Sequence, residues 1–422
     1  MAQVTIHPGM LSGIIQAQPS KSAAHRAVLL SALASGKSRL SPVTRSEDVQ
    51  ATLDAVRAMG ARWTYSNGEL TMHEPVRCGA NALVDCAESG STLRFLVPIS
   101  LVAAGGAHFV GRGRLGERPM KPYEDICFRQ GIVYERALGQ ALDLTVKGTL
   151  KADTFVLPGD VSSQFISGLL MALPLLKEDS VIKLTGEIES RPYIDMTIAA
   201  MSAFGVEVKT VGNNQYNIPG RQRYRACNYT VEGDYSQAAV FLCAAALGHE
   251  VTVRGLITAT IQGDQAVLTH LMRMGANITG GLGEVTVSAG EMHGTQINAS
   301  QCPDIVPILA LTAALSEGKT HITNAARLRL KESDRLEATA QTLNALGAQV
   351  DQTDDGLIIE GVKCFKGNQT LDCWNDHRIA MILCVAALHA DGPVTLTGVE
   401  CLNKSYPGFL RDFIALGGMV DG

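Results

Sequence analysis

Residues 327–352 read RLRLKESDRLEATAQTLNALGAQVDQ and combine a charged cluster, an amphipathic pattern and a glycine before a β-rich segment. Leu336, Ala340 and Leu343 recur at helical spacing, and Gly347 ends the pattern. Glycine at that place is typical of a left-handed residue just after a helix, which lets the chain turn directly into a strand. The stretch therefore predicts a helix, a turn at Gly347 and a strand.

This helix–glycine–strand phrase occurs six times. The copies are VRAMGARWTY, CFRQGIVYE, MSAFGVEVKT, LMRMGANIT, LNALGAQVDQ and FIALGGMVDG, with glycines at Gly60, Gly131, Gly205, Gly275, Gly347 and Gly417, at spacings of 70 to 74 residues. A second phrase, an Ala/Leu-rich helix followed by a short turn and a strand, alternates with the first at a similar period. Its helices are apolar on almost all sides, so we expect them to be buried.

Six repeats predict two similar α/β lobes of three repeats each, with the helices inside and the sheets outside. The boundary falls near residues 227–233. We assign residues 20–232 to the first lobe, and residues 1–19 with 233–422 to the second. The strand pattern before Lys21 has residues suited to pairing with either lobe.

Composition limits the class of protein. A chain of 422 residues with 46% hydrophobic and 18% charged residues is typical of a globular protein of two or three domains. The net charge of −5 argues against general nucleic-acid binding. Neither a signal peptide nor a membrane-spanning apolar run is recognisable. The ten cysteines show no metal-ligand spacing, which favours reduced thiols in a cytoplasmic protein.

The starts of the predicted helices carry the candidate site. Equivalent helix ends in a repeat architecture face the same way, so we expect them to converge on a cleft between the lobes. Ser, Asp and Asn cap helices for stability alone, but Lys and Arg at helix starts oppose the helix dipole. Their repeated presence there indicates a small ligand with several negative charges. The polar residues at these starts are Lys21, Ser22, Arg26, Arg94, Arg118, Ser162, Ser163, Gln164, Ser190, Tyr193, Asp304, Lys331, Glu332, Arg335, His377, Arg378 and Lys404.

The charged cluster at residues 331–335 is one of these starts. Taken alone it is typical of a solvated first helical turn, with Ser333 or Asp334 as the N-cap. Among so many cations, Glu332 and Asp304 suit proton transfer as general acid or base. The sequence lacks the nucleophile, zinc-protease, P-loop and dinucleotide motifs.

Nine short motifs, in order and spacing, resemble the 5-enolpyruvylshikimate-3-phosphate (EPSP) synthase family along the whole chain. They are PSKSAAHR (19–26), ESGSTLR (88–94), ERPM (117–120), DVSSQF (160–165), SRPYID (190–195), PD (303–304), LKESDR (330–335), NDHR (375–378) and NKSYP (403–407). The resemblance implies a two-lobed inside-out α/β barrel. It also implies transfer of the enolpyruvyl group of phosphoenolpyruvate to the 5-hydroxyl of shikimate-3-phosphate, with release of phosphate.

The resemblance further implies a role for each candidate. The residues implied to hold shikimate-3-phosphate, mainly on the first lobe, are Lys21, Ser22, Arg26, Ser162, Ser163, Gln164, Ser190, Tyr193, Asp304 and Lys331. Those implied to hold phosphoenolpyruvate are Lys21, Gly90, Arg118, Gln164, Arg335, Arg378 and Lys404. Asp304 is the implied base and Glu332 the implied acid, with Lys21 and His377 in support. We expect a monomer with no metal or other cofactor and no nucleic-acid or membrane partner.

Two positions depart from the best-known bacterial members, which carry Asn where this chain has Glu88 and Arg327. We leave both out of the candidate set. One alternative is a UDP-N-acetylglucosamine enolpyruvyl transferase, which carries a cysteine in the loop before its Arg-Pro motif. Here that loop, residues 111–119, reads GRGRLGERP without cysteine. Another alternative is a non-catalytic six-repeat clamp, which needs a basic inner surface.

Overall fold

The computed structural model describes residues 2–77, 82–137, 139, 141–281 and 283–422, and these residues form twelve α-helices and 24 β-strands. The helices are α1 Lys21–Leu33, α2 Glu47–Ala58, α3 Gly90–Ala103, α4 Lys121–Gln130, α5 Ser163–Ala172, α6 Arg191–Ala203, α7 Tyr235–Ala246, α8 Ala266–Arg273, α9 Val306–Ala314, α10 Arg335–Ala345, α11 His377–Leu388 and α12 Phe409–Ala415. The strands are β1 Gln3–Ile6, β2 Ser12–Gln16, β3 Ser38–Ser41, β4 Arg62–Ser66, β5 Glu69–Glu74, β6 Leu83–Asp85, β7 Gly106–Gly111, β8 Val133–Arg136, β9 Leu142–Lys147, β10 Thr154–Pro158, β11 Ser180–Thr185, β12 Lys209–Val211, β13 Gln215–Ile218, β14 Asn228–Thr230, β15 Glu250–Arg254, β16 Asn277–Gly281, β17 Glu284–Ser288, β18 Gln296–Asn298, β19 Lys319–Thr323, β20 Gln349–Gln352, β21 Leu357–Glu360, β22 Gln369–Asp372, β23 Val394–Thr397 and β24 Val420–Asp421.

The strands form six four-stranded sheets with one topology. We number the sheets one to six in the order of the repeats along the chain. In the third sheet, β10 pairs parallel with β11, β11 pairs antiparallel with β13, and β13 pairs antiparallel with β12. The same pattern appears in the sheets β14-β3-β5-β4, β6-β7-β9-β8, β2-β15-β17-β16, β18-β19-β21-β20 and β22-β23-β1-β24. The six predicted repeats are confirmed by this shared topology.

Three of the sheets are completed by strands from distant parts of the chain. Strand β14 lies beside β3 of the first sheet, and β2 lies beside β15 of the fourth. Strand β1 enters the sixth sheet between β23 and β24, with Val4 opposite Leu396. The segment before Lys21 therefore pairs with the later repeats, the alternative that its strand pattern alone left open.

The chain divides into two compact units. We call Lys21–Val231 the N-terminal unit, and Met1–Ser20 together with Glu232–Gly422 the C-terminal unit. Each has its own hydrophobic core and three of the six sheets. A fully buried Leu or Phe in such a core contributes about 1.5–3 kcal/mol to stability.

The helices alternate between buried and partly exposed, as the sequence predicts. Every residue of α7, α9 and α11 is buried, whereas only Val267, His270 and Leu271 of α8 are. Helices α1, α3 and α5 are likewise mostly buried in the N-terminal unit. The predicted inside-out α/β organisation, with helices within and sheets around them, is confirmed.

The turns after the partly exposed helices have the left-handed glycines that the sequence predicts. The six repeat glycines all have positive φ, from 66° at Gly131 to 102° at Gly275. Asp334 is the N-cap of α10, because its carboxylate accepts from the backbone N–H of Glu337 at 3.1 Å. In the part of the chain that the structure describes, every helix is too short or too polar to cross a membrane.

Candidate active site

Arg335, the first residue of α10, is the centre of an ion-pair cluster in the C-terminal unit. Its Nη1 donates to Oδ1 of Asp304 at 2.8 Å, and its Nη2 donates to Oε2 of Glu332 at 2.7 Å. Lys331 Nζ reaches the same Oδ1 of Asp304 at 3.2 Å. The structure thus brings together four residues that the sequence analysis selected from two separate motifs.

Asp376 holds this cluster from behind. Its Oδ2 accepts from Arg335 Nε at 2.8 Å and from the hydroxyl of Ser333 at 3.0 Å. Its Oδ1 caps α11 by accepting from the backbone N–H of Arg378 at 2.9 Å. Asp376 was not among the predicted site residues, although its position as a polar residue just before a buried helix in the NDHR motif was a usable signal.

Charge and burial set the protonation of the cluster. Burial raises the pKa of Asp304, but the cations Lys331, Arg335 and Arg378 outweigh it and hold that pKa well below its usual range. Burial lowers the pKa of Lys331, and Asp304 only partly restores it. Burial also disfavours charge on Arg335, yet its surrounding carboxylates raise its pKa above the usual value. Asp304 and Arg335 are therefore ionised at neutral pH.

Arg378, His377 and Lys404 lie around the start of α11. Arg378 Nη1 donates to the backbone carbonyl of Ser236 at 2.5 Å. Lys404 Nζ donates to the carbonyl of Asn375 at 2.7 Å, next to Asp376 in the chain. His377 is buried, with its Nδ1 3.8 Å from Oδ1 of Asp376. Lys404 is thus anchored to the segment that carries Asp376, whereas Arg378 reaches from that segment to the start of α7.

In the N-terminal unit, the start of α1 carries the first group of candidates. Lys21 Nζ donates to the carboxylate of Asp48 at 2.7 Å. Arg26 is buried and donates to the carbonyl of Ser22 at 2.7 Å, the carbonyl of Tyr193 at 2.8 Å and further hydroxyls. Because its guanidinium is engaged with protein oxygens, Arg26 ties the start of α1 to α6 in this structure.

A second group in the same unit lies at the starts of α3 and α5. Gln164 Oε1 accepts from Arg94 Nη1 at 2.8 Å, and its Nε2 donates to Ser91 Oγ at 2.9 Å. Arg118 is buried beside Gly90, where an added Cβ would lie 2.5 Å from its Nη1. Gly90, Arg118 and Gln164, all predicted phosphoenolpyruvate ligands, are therefore neighbours.

The predicted serines lie at helix starts. Ser162 is the N-cap of α5 and accepts from the N–H of Gln164 at 3.3 Å, and Ser163 is the buried first residue of that helix. Ser190 precedes α6 in a left-handed conformation, with φ of 52°. Its carbonyl accepts from the N–H of Tyr193 at 3.1 Å.

The structure brings the candidates together within each unit. Asp304, Lys331, Glu332, Arg335, His377, Arg378 and Lys404 lie in the C-terminal unit, and the others lie in the N-terminal unit. Asp48 and Asp376, the partners of Lys21 and Arg335, were not predicted from the sequence. The predicted cleft between the lobes stays a prediction.

Arg327 and Glu88, the two residues that depart from the family pattern, each contact nearby backbone. Arg327 Nη2 donates to the carbonyl of Ser300 at 2.5 Å. The carboxylate of Glu88 lies against Gly113, where an added Cβ would be 2.5 Å from Oε2.

The geometry of the C-terminal cluster suits acid–base chemistry on an anion. Two carboxylates, Asp304 and Glu332, are held by one guanidinium, so their oxygens have defined positions. Nearby cations stabilise charge on a bound anion, and a buried setting strengthens that interaction. Two carboxylates are thus fixed beside cations that attract carboxylate or phosphate.

Comparison with known proteins identifies relatives along the whole chain. The family model described as EPSP synthase (3-phosphoshikimate 1-carboxyvinyltransferase) matches residues 6–413. The chain is 45% identical over 427 residues to a 3-phosphoshikimate 1-carboxyvinyltransferase of Clostridium botulinum, covering 99% of this chain and 98% of the relative. It is 44% identical over 432 residues to the enzyme of that name from Clostridioides difficile, covering 100% and 99%. An EPSP synthase structure from Acinetobacter baumannii matches with a TM-score of 0.81, 27% identity and 100% coverage of both chains.

Proposed function

The chain belongs to the EPSP synthase (3-phosphoshikimate 1-carboxyvinyltransferase) family, and on that premise we propose how its residues perform the reaction. The enzyme transfers the enolpyruvyl group of phosphoenolpyruvate to the 5-hydroxyl of shikimate-3-phosphate and releases phosphate, in aromatic biosynthesis. The observation that most strongly supports the proposed site is that Asp304 and Glu332 both contact the buried guanidinium of Arg335.

In the proposed mechanism, Glu332 donates a proton to the methylene carbon of phosphoenolpyruvate. The 5-hydroxyl oxygen of shikimate-3-phosphate then bonds to the adjacent carbon, and Asp304 takes the hydroxyl proton. The tetrahedral intermediate carries both the new C–O bond and the phosphate. Phosphate leaves with the proton held by Asp304, and return of a methyl proton to Glu332 restores the double bond and the starting state of both residues. The surrounding cations keep the pKa of Asp304 low, so its carboxylate is unprotonated at neutral pH, the form that a proton acceptor requires.

Glu332 has to be protonated before it acts as the acid, and its contact with Arg335 opposes this. The bond to Arg335 Nη2, at 2.7 Å, stabilises the carboxylate form of Glu332. We propose that the carboxylate of phosphoenolpyruvate replaces Glu332 at Nη2. Glu332 then loses its hydrogen bond from Nη2, and its affinity for a proton rises. The substrate thereby prepares its own proton donor.

The remaining cations hold substrate charge in this proposal. Arg378 and Lys404 in the C-terminal unit, with Lys21, Gly90, Arg118 and Gln164 in the N-terminal unit, bind phosphoenolpyruvate. Arginine suits carboxylate and phosphate because its planar fork donates two parallel hydrogen bonds. His377 supports the local charge. The residues proposed to hold shikimate-3-phosphate are Lys21, Ser22, Arg26, Ser162, Ser163, Gln164, Ser190, Tyr193, Asp304 and Lys331.

The setting of the enzyme is also proposed. The substrates are small anions, and we propose a monomer that acts in the cytoplasm without a nucleic-acid partner. The nine cysteines among the described residues are all free thiols, which suits a reducing compartment.

Phosphate release measured with purified protein tests the proposal. We expect release that requires both phosphoenolpyruvate and shikimate-3-phosphate and that proceeds without added metal. Replacing shikimate-3-phosphate by UDP-N-acetylglucosamine should abolish it. Turnover with the sugar nucleotide and none with shikimate-3-phosphate would favour the alternative transferase instead.

A further inference from the structure

We propose that Asp264 is a positioning residue for the reaction, acting through Ser236 on Arg378. The inference rests on the role proposed above for Arg378 as a ligand of phosphoenolpyruvate. Asp264 lies in the turn Gly263–Gln265 that precedes α8. Its segment, TIQGDQA (260–266), supplied none of the predicted site residues.

Asp264 is connected to Arg378 through one residue, Ser236. Asp264 is 2% exposed, and its Oδ2 accepts from the hydroxyl of Ser236. The carbonyl of Ser236 accepts in turn from Arg378 Nη1 at 2.5 Å. Because hydroxyl and carbonyl belong to one residue at the start of α7, the carboxyl of Asp264 fixes the oxygen that holds Arg378.

The turn that carries Asp264 is itself fixed against the start of α7. Gln262 Oε1 accepts from the backbone N–H of Tyr235 at 3.1 Å, and Gln262 Nε2 donates to the carbonyl of Gly233 at 2.7 Å. Gln262 is buried as well. Asp264 therefore acts on Ser236 from a rigid support.

A carboxyl is a costly choice for this task. An uncharged acceptor would satisfy the Ser236 hydroxyl, whereas a buried carboxylate is penalised by desolvation. What the carboxyl adds is a titratable charge near Asp304, the proposed base. A side chain that served only to accept the Ser236 hydrogen bond would not require this charge.

The groups around Asp264 set when that charge is present. The charged groups are Asp304 before α9, Asp234 at the start of α7 and Arg378 on α11, and the Cys302 thiol also faces it. Burial and then the charge of Asp304 raise the pKa of Asp264 to about 7, against the lowering effects of Ser236 and Arg378. As pH rises through this value, Asp264 gains a negative charge, which raises the proton affinity of Asp304.

Steady-state kinetics of four single variants, the double variant Asp264→Ala/Ser236→Ala and one control variant separate positioning from stability. Asp264→Ala removes the carboxyl, and Ser236→Ala removes the hydroxyl. Asp264→Asn keeps an acceptor but cannot ionise, and Arg378→Lys tests the ligand itself. Asp412→Asn is a matched control, because Asp412 also accepts from a hydroxyl in the C-terminal unit, that of Tyr406 at 2.8 Å.

We expect Asp264→Ala and Ser236→Ala each to raise KM for phosphoenolpyruvate about tenfold, because each variant loses one hydrogen bond. The KM for shikimate-3-phosphate should stay within about twofold of the wild-type value. The double variant should be no worse than either single variant, since both break one chain of contacts. The ratio of wild-type to Asp264→Asn activity should rise with pH through about 7. Asp412→Asn should leave both KM values unchanged.

The outcomes distinguish this inference from the proposed function. An unchanged KM for phosphoenolpyruvate in Asp264→Ala, alongside a raised one in Arg378→Lys, would overturn the role of Asp264 alone. An unchanged value in Arg378→Lys would overturn the role of Arg378 and this inference with it. If Asp264→Ala does not fold, judged by circular dichroism, Ser236→Ala decides, because it breaks the same chain of contacts and keeps the carboxyl. An unchanged KM for phosphoenolpyruvate in Ser236→Ala then overturns the inference.

Discussion

Arg335 and Asp376 form a buried ion pair in which Nε lies 2.8 Å from Oδ2, with the two side chains 2% and 0% exposed. The pair joins the first residue of α10 to the N-cap of α11. Two neighbouring repeats are thereby linked beside Glu332, the proposed acid, which also contacts Arg335. The position of Arg335 beside Asp304 and Glu332 thus depends on a carboxylate 41 residues away.

Replacing Asp376 by Asn should destabilise the protein and the site together. Arg335 keeps Asp304 and Glu332 but loses one of its three carboxylate partners, and a hydrogen bond to a charged group contributes about 1.5–3 kcal/mol. We expect a fall of that size in the free energy of unfolding, measured by urea denaturation. Asp351→Asn, at an exposed position on β20, is the control and should change it by less than about 0.5 kcal/mol. Equal effects of the two substitutions would contradict the prediction.

The stability of the C-terminal unit should fall between about pH 6.5 and pH 4 because of His249. The backbone N–H of Leu11 donates to its Nδ1 at 3.0 Å, and its Nε2 lies 3.1 Å from Nε2 of His389. Burial, followed by the His389 charge, lowers the pKa of His249 to about 4. A folded-state pKa below the unfolded value of about 6.5 means that the unfolded state binds the proton first as pH falls. The free energy of unfolding therefore falls by about 3 kcal/mol by pH 4 because of His249 alone.

Urea denaturation at intervals from pH 7 to pH 4 measures this effect. His249→Gln should flatten the loss of stability across that range. His293→Gln replaces an exposed histidine of the same unit and should leave the slope as in the wild type. The same slope in His249→Gln and the wild type would show that His249 is not the responsible group.

The repeat period and the helix starts were predictable because both depend on local sequence. Gly347 and its five counterparts mark turns by their conformational freedom, and the apolar helices show burial in their composition. The sheet partners of β1, β2 and β14 were not predictable, because pairing between distant strands leaves no local pattern. The choice of Asp334 over Ser333 as N-cap also needed the structure, since Ser333 donates instead to Asp376.

The candidate site was predictable as a set of residues but not as a set of contacts. Lys and Arg at helix starts were interpreted as ligands for a bound anion. The structure adds that Lys21 and Arg335 are already paired with Asp48 and Asp376. These partners lie 27 and 41 residues away. Asp48 is on the second helix of the repeat that begins with Lys21, whereas Asp376 caps the first helix of the repeat after Arg335.

Gly90→Ala should weaken binding of phosphoenolpyruvate more than it weakens the fold. The added Cβ would lie 2.5 Å from Nη1 of Arg118, so the guanidinium has to move, although the end of a long side chain moves at little cost in stability. Loss of its charge-assisted hydrogen bonds should raise KM for phosphoenolpyruvate about tenfold to a hundredfold. Gly281→Ala, where an added Cβ meets nothing within 4 Å, is the control. An unchanged KM in Gly90→Ala would argue against Arg118 as a ligand.

Glu332→Gln should bind both substrates and lose most of the rate. The amide oxygen can still accept from Arg335, so the cluster stays assembled, but the side chain cannot deliver a proton to the methylene carbon. We expect kcat to fall by about 10²- to 10⁴-fold, the usual contribution of a general acid.

Proton exchange separates this loss from a defect in binding. In deuterated water the wild type should place deuterium on the methylene carbon of phosphoenolpyruvate when shikimate-3-phosphate is present, because protonation of that carbon is reversible. Proton NMR would detect the exchange. Glu332→Gln should show none, while its dissociation constants, measured by calorimetry, stay within about threefold of the wild type. Exchange at the wild-type rate would show that another group supplies the proton.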